Sequence, residues 1–230
     1  MDQVSLQLTE DGSHTLYNAE LDETYHSNRG ALAEARYVFI ESGFAVVLPH
    51  ITQQLNILEV GFGAGLNALM TLGYLDELTA QRAGDIPQVH YVSLEPFPIT
   101  AQLAQQLNYP ALLPTRYFSL FDAIHQAAWN TQVRLSQQFA IEKRVVALEQ
   151  FEGCPASFDL IYFDAFAPSK QPDVWSLANF QKCFALLKPD GMLVSYCANG
   201  QFKRHLKAAG FSVRAHPGAL GKREMTRAWK

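Results

Sequence analysis

The chain is poor in the residues that would tie it to a metal, a membrane or an oxidising compartment. Its 230 residues include only three cysteines, Cys154, Cys183 and Cys197, odd in number, widely spaced and without a C-x-x-C pair. A disulfide framework is excluded, and buried thiols in a reducing cytoplasm are expected. The seven histidines show neither H-x-x-x-H nor H-E-x-x-H spacing, so no metal is expected. Charge is scarce too: 17% of residues are charged and 48% hydrophobic, which excludes disorder. Repeats, low-complexity tracts and linkers are absent, and the length suits one α/β domain with a small appendage. Met1 to Ser5 offer neither a basic nor an apolar leader region, so no signal peptide is expected. Residues 57–75 approach the length of a membrane span, but Glu59, Asn67 and four glycines break the run. A strand, a turn and a helix explain it better.

That stretch organises the rest. Leu55-Asn56-Ile57-Leu58-Glu59-Val60 is an apolar run of strand length, and Gly61, Gly63 and Gly65 follow within five positions. Leu66, Ala68, Leu69, Met70, Leu72 and Leu75 continue as a buried helix. Glycine lets a backbone bend sharply and a ligand approach it closely, and a helix start offers unpaired N–H groups. A dinucleotide fingerprint would need glycine at position 66, where Leu66 stands. With Glu59 two residues before the first glycine, E-x-G-x-G-x-G resembles the first motif of class I S-adenosylmethionine-dependent methyltransferases. The methionine end of that donor is cationic, so the resemblance gives Glu59 a charge to meet. A ligand-free glycine turn is the plainer alternative.

In chain order, Val4 to Leu8 and His14 to Tyr17 read as a hairpin around Asp11-Gly12. Leu32, Ala35, Val38 and Phe39 have helical spacing, and the helix is expected to end near Ser42-Gly43. Gly84-Asp85-Ile86-Pro87 closes the strand–turn–helix unit. Val89 to Glu95 is a second core strand ending in an acid; at the carboxyl ends of a doubly wound sheet Glu95 can accept both ribose hydroxyls of a nucleoside, or merely cap the next helix. Residues 99–108 suggest a helix, residues 120–128 another, and Val133 to Ser136 and Arg144 to Leu148 short strands. Phe158 to Phe163 is a buried strand, Leu177 to Leu187 a helix, Met192 to Cys197 a strand and Gln201 to Ala209 a helix. Phe211 to Ala215 and Glu224 to Trp229 close the sheet as an antiparallel pair. The expected fold is α/β, a Rossmann-like doubly wound sheet with an antiparallel edge strand, residues 51–230 forming the methyltransferase core and residues 1–50 an N-terminal hairpin and helix packed on it.

Asp164 ends the fourth core strand beside the expected donor pocket, and a rigid aromatic-proline loop follows. Methyl transfer to an amine needs the nitrogen lone pair freed of its proton and held in line. A carboxylate can accept the N–H and orient that lone pair. Phe166 and Trp175 offer faces on which a base or adenine could stack. A strand-ending Asp that caps its turn, with aromatics in the core, is the competing reading.

Charge is unevenly spread. Residues 201–230 hold eight basic residues, among them Lys203, Arg204, Lys222 and Arg223, against the single acid Glu224, whereas the chain as a whole carries −4. A basic segment on an acidic body suits a nucleic-acid partner or a merely solvated surface.

A longer pattern is more specific. Asp22-Glu23-Thr24-Tyr25-His26-Ser27, Glu34-Ala35-Arg36-Tyr37, the Glu59 to Asn67 stretch and Leu94-Glu95-Pro96-Phe97-Pro98 occur in order. Asp164-Ala165-Phe166-Ala167-Pro168-Ser169-Lys170-Gln171-Pro172-Asp173-Val174-Trp175 and Gly221-Lys222-Arg223-Glu224-Met225 complete it. From about residue 15 onward the chain resembles the methyltransferase half of the bifunctional tRNA 5-methylaminomethyl-2-thiouridine biosynthesis (MnmC) family and its stand-alone relatives. The resemblance implies methyl transfer from S-adenosyl-L-methionine to the aminomethyl nitrogen of 5-aminomethyl-(2-thio)uridine at the tRNA wobble position. It implies Glu59, Gly61, Gly63, Gly65, Asn67 and Glu95 at the donor and Asp164 at donor and amine. Tyr25, Phe166, Pro168, Lys170 and Trp175 would stand at the base, and Lys203, Arg204, Lys222 and Arg223 at phosphates of the tRNA anticodon region. Because no oxidase half follows Lys230, dependence on other enzymes to install the aminomethyl group is expected. Glu149 and Glu152 both remain open as the acid near adenine. The rival readings are an enzyme methylating, or transferring aminopropyl to, a small-molecule amine, and a non-catalytic tRNA-binding module.

Overall fold

A computed structural model describes residues 4–81 and 86–230; the turn expected at Gly84-Asp85 lies outside the described residues. A small antiparallel sheet comes first, β1 (Val4–Leu8), β2 (His14–Asn18) and β3 (Glu23–Thr24). The chain then runs helically through α1 (Ala31–Ala35), a π-helical stretch (Arg36–Phe44) and α2 (Ala45–Val47). The expected stop at Ser42-Gly43 does not occur. Gly43 sits mid-helix because it packs on the sheet, where a Cβ would come within 3.0 Å of Val194.

The main sheet contains β4 (Gln54–Val60), β5 (Gln88–Leu94), β6 (Gln132–Arg134), β7 (Phe139–Arg144), β8 (Phe158–Phe163), β9 (Leu187–Ser195), β10 (Ser212–His216) and β11 (Met225–Trp229). Its order is β10-β11-β9-β8-β4-β5-β7-β6. Strands β7, β5, β4, β8 and β9 run parallel, while β11 is antiparallel to both β9 and β10, and β6 to β7. The reversed strand near the C-terminus is therefore β11, one position in from the edge, and β10 at that edge returns to the parallel sense.

Helices cover both faces: α3 (Leu66–Gln81), α4 (Ala101–Ala104), α5 (Tyr109–Leu112), α6 (Arg116–Gln126), α7 (Leu177–Leu186) and α8 (Gly200–Ala208). Alternate strand residues feed two cores. Ile57, Tyr91, Leu160, Tyr162 and Val194 pack with Phe39, Leu69 and Leu72; Leu58, Val92, Phe163 and Leu193 pack with Phe180, Phe202 and Leu206. Burial on both faces is why these strands read as continuous apolar runs.

Two expectations in the middle third need correction. The strand expected at Arg144 to Leu148 ends at Arg144, because β7 takes the more polar Phe139–Arg144 to pair with β5. Val146 and Leu148 leave the sheet and pack on the second core. The helix expected over 99–108 is only α4, and after a turn the chain starts the separate α5 with Pro110 in its first turn, where the missing N–H leaves no helical bond unmade. Cys183 and Cys197 are buried but Cys154 is exposed; all three are free. No helix among the described residues is long and apolar enough to cross a membrane.

Candidate active site

Strand β4 is flanked by β5 on one side and β8 on the other, so connections leave in opposite directions and a crevice opens at the carboxyl ends. A cavity of about 620 Å³ fills it. The glycine turn forms its floor. Gly61, Gly63 and Gly65 have φ of 94°, 50° and 72°, a region that disfavours side chains. A Cβ on Gly61 would lie 2.5 Å from the Asp164 carbonyl oxygen, and one on Gly63 would meet the Tyr25 ring at 3.0 Å. Gly65 stands off the cavity, turned toward Phe62 and His125. These three glycines serve close approach and turning together.

Glu95 follows β5 and lines the cavity. The Gly63 N–H donates to its Oε2 at 2.9 Å and the Phe97 N–H to its Oε1 at 3.0 Å, which ties the glycine turn to the neighbouring strand end. Burial raises its carboxyl pKa, opposed by those two N–H donors. Each oxygen keeps a lone pair for a ligand hydroxyl. Beyond it, Phe97, Ala147, Leu148 and Glu149 complete an apolar end with one acid. Of the two acids left open by the sequence, Glu149 lines the cavity, accepting from Asn179 Nδ2 at 2.6 Å, and Glu152 is exposed away from it.

At the opposite end Asp164 is half-buried. Asn67 Nδ2 donates to its Oδ2 at 2.7 Å, and its own N–H donates to the Val60 carbonyl at 3.0 Å. Burial pushes the carboxyl up to about 7; the Asn67 hydrogen bond opposes this, the Glu34 charge adds to it and the Lys222 charge subtracts. Tyr25 and Phe166 meet edge to face in the cavity wall with centroids 4.8 Å apart. Burial pushes the Tyr25 hydroxyl up to about 12, with the Glu95 charge adding, so it stays protonated. The N-terminal segment also supplies Asn18, Leu21 and His26 to the wall. Nothing in the motif spacing marks Asn18 or Leu21, which reach the cavity through tertiary packing alone.

Several residues singled out from the sequence lie elsewhere. Glu59 is fully buried beneath the glycine turn and does not line the cavity. Ser93 Oγ donates to its Oε2 at 2.5 Å, and burial, with the Asp164 charge adding, pushes its carboxyl up to about 8. Trp175 is 3% exposed, packed on Phe163 and Phe202 with centroids 4.9 Å away in each case. Its Nε1–H donates to the Phe166 carbonyl at 2.7 Å, so it anchors the loop from below and offers no stacking face. Pro168 and Lys170 sit in that loop outside the cavity lining, Lys170 paired with Asp22 at 3.6 Å.

The expected phosphate contacts divide. Lys203 pairs with Glu224 at 2.6 Å, and Lys222 pairs with the buried Glu34, which also accepts the Ser27 N–H at 2.9 Å. Lys222 thereby ties the C-terminal turn to α1 and lies 5.4 Å from the Tyr196 ring centroid. Arg204 is exposed and bonds Gln201 within its helix; Arg223 is exposed. Among the described residues no group of three His, Cys, Asp or Glu side chains could hold a metal.

A floor of backbone with no room for side chains, a carboxylate facing inward at the end of the second strand and an apolar slot beyond it fit S-adenosylmethionine. The glycine turn would hold its methionine end and Glu95 its ribose. The fold and the cavity thus define the class, a nucleoside-binding α/β transferase domain. The profile of a family described as S-adenosyl-L-methionine-dependent methyltransferase matches residues 111–230, and the chain belongs to that family.

Among curated relatives, the tRNA 5-methylaminomethyl-2-thiouridine biosynthesis bifunctional protein MnmC of Chromobacterium violaceum is 32% identical over 222 residues, covering 92% of this chain and 33% of its own length. Its counterpart from Ralstonia nicotianae is 33% identical over 232 residues, covering 96% of this chain and 33% of its own length. The chain thus spans about a third of the length of these relatives. Among solved structures, MNMC2 from Aquifex aeolicus superposes with a TM-score of 0.79 at 24% identity, over 98% of this chain and 70% of that one. Spermidine synthase from Thermotoga maritima gives 0.55 at 14% identity, over 100% and 72%. Both share the fold.

Proposed function

We propose that this protein transfers a methyl group from S-adenosyl-L-methionine to the aminomethyl nitrogen of 5-aminomethyl-(2-thio)uridine at wobble position 34 of tRNA, giving the 5-methylaminomethyl product. The observation that carries this reading is Asp164, held by Asn67 at the wall where the glycine turn meets the Tyr25–Phe166 pair. The bifunctional relatives, tRNA 5-methylaminomethyl-2-thiouridine biosynthesis proteins, point to the same nucleoside.

When bound, S-adenosylmethionine supplies an electrophilic methyl on a sulfonium. The residues of the chain then have separate tasks. Asp164 accepts an N–H of the substrate amine and aims the nitrogen lone pair along the cavity. With its carboxyl pushed up to about 7 it is matched to take the proton released as the nitrogen forms its new bond to carbon. Asn67 fixes the rotamer of that carboxyl. Tyr25 and Phe166 frame the base beside the reacting nitrogen. In this reading residues 51–230 form the catalytic core and residues 1–50 an extension that closes the substrate side.

The test is incubation with labelled S-adenosylmethionine and tRNA from cells lacking this gene, followed by nucleoside mass spectrometry. A gain of one methyl on 5-aminomethyl-(2-thio)uridine is expected. Donor binding without tRNA methylation would move the substrate to a small amine.

A further inference from the structure

We propose that β10 and β11 carry a phosphate-binding site, built by Arg214 and Arg227 around Trp229, that grips the RNA backbone near the reacting nucleoside; this rests on the tRNA reading above. Arg214 and Arg227 are directly opposed residues of the antiparallel pair, so their side chains share one face of the sheet. Like charges set opposite one another destabilise a strand pair. The usual remedy is a carboxylate, yet among the described residues neither arginine has an ion-pair partner. Both guanidinium carbons instead lie over Trp229, at 5.0 and 5.6 Å from its ring centroid. That packing fixes the guanidinium planes without neutralising them.

Two further observations leave Arg227 charged and suited to an anion. Arg227 Nε is buried and has no hydrogen-bond partner. Arg227 Nη2 donates to His216 Nδ1 at 2.9 Å, and burial together with the Arg227 charge lowers the His216 pKa, so the imidazole adds no charge and spends its lone pair on holding Arg227. Tyr37 stacks on His216 from the helical side at 6.2 Å, its hydroxyl donating to the Pro217 carbonyl at 3.2 Å. The pair is a held, unneutralised dication, the charge pattern that phosphates complement.

Its position fits the same substrate. Arg227 is in register with Val194 on β9, and Val194 with Tyr162 on β8, two residues before Asp164. Two strand spacings sideways and two residues along put the Arg227 and Asp164 backbones about 12 Å apart. That is about four nucleotides along a stacked strand. Lys203 and Lys222 stand in the same basic segment, but Glu224 and Glu34 occupy them.

The experiment measures tRNA binding against salt concentration for wild type and for Arg214→Glu, with thermal melting and S-adenosylmethionine binding as controls on the fold. The substitution replaces facing like charges by opposite ones, so the melting temperature should hold or rise. The slope of log K against log salt should flatten by about one, since each phosphate contact contributes about 0.7–0.9. Affinity at low salt should fall about tenfold or more. An unchanged slope and affinity in a folded Arg214→Glu protein would overturn this site and leave the tRNA reading intact. Wild-type protein whose tRNA binding ignores salt would overturn the tRNA reading and this site together. If Arg214→Glu fails to fold, the double variant Arg214→Gln/Arg227→Gln carries the same two readouts.

Discussion

Replacing Asp164 by Asn should stabilise the protein at alkaline pH while nearly abolishing its turnover. The carboxyl rises from 3.8 to about 7 on folding, chiefly through burial. An acid whose folded pKa is raised costs the fold stability as pH rises through its unfolded pKa, so the effect is small at pH 4, grows as pH rises toward 7 and levels off above it. At about 1.4 kcal/mol per pKa unit the shift sets a ceiling near 4 kcal/mol. Asp164 is only half-buried and faces an open cavity, which screens the charge and brings the expected gain to roughly 1–3 kcal/mol. For a chain of this length that is a melting shift of about 3–10 °C at pH 8. Asn can still accept from Asn67, so packing is preserved while the proton acceptor is lost, and turnover should fall by about 10²–10⁴. Thermal unfolding of both proteins at pH 4 and pH 8, beside a methyl-transfer assay, checks the pair of effects. Equal melting temperatures at pH 8, or turnover within a factor of a few of wild type, would refute the reasoning.

Three further outcomes follow from contacts at the site. Glu34→Gln removes a negative charge that raises the Asp164 pKa while Lys222, partly exposed, stays charged, so the acid limb of the pH–rate profile should move to lower pH. Adding Lys222→Met should return it toward wild type; a shift to higher pH in the single variant would contradict the assignment. Gly61→Ala forces a side chain onto a backbone at φ 94° and against the Asp164 carbonyl, so denaturant unfolding should show a loss of about 1–3 kcal/mol or more and donor binding should weaken. A wild-type midpoint and dissociation constant would remove the close approach from the account. Trp175→Phe keeps the ring in its core but deletes the hydrogen bond to Phe166, which should cost about 1 kcal/mol and raise KM for the nucleic acid more than it lowers kcat. A change confined to kcat would place Trp175 in the chemistry instead.

What could be read in advance was whatever depends on neighbours in sequence. Gly61, Gly63 and Gly65 announce a turn because few other residues tolerate those angles, and Glu95 and Asp164 declare themselves by ending apolar runs. The errors came from partners distant in sequence. Lys222 looked free because Glu34, which holds it, is 188 residues away. Glu59 looked like a charge facing a ligand, but alternation along β4 turns it inward to Ser93. Trp175 looked like a stacking surface because large aromatics near a site so often are, whereas three phenylalanines of the second core receive its ring. Strand β7 lies ahead of the expected Arg144–Leu148 run and includes Glu142 and Lys143. The Lys143 ammonium is in fact buried, donating to the Ile124 carbonyl at 2.8 Å and the His125 carbonyl at 3.1 Å at the end of α6. Asn18 and Leu21, on the cavity wall, carry no local signature at all.

The central claim is that Asp164 and its surroundings methylate an amine on a tRNA base, and one comparison tests it directly. Two anticodon stem-loops, identical except that position 34 carries 5-aminomethyl-2-thiouridine in one and 5-hydroxymethyl-2-thiouridine in the other, are offered to the protein with labelled S-adenosylmethionine. The account predicts one methyl per stem-loop on the amine and none on the alcohol, because a carboxyl near pKa 7 suffices to free the lone pair of an ammonium, whereas a neutral alcohol is a far weaker nucleophile. Equal labelling of both, or labelling of neither by protein that binds the donor, would contradict it.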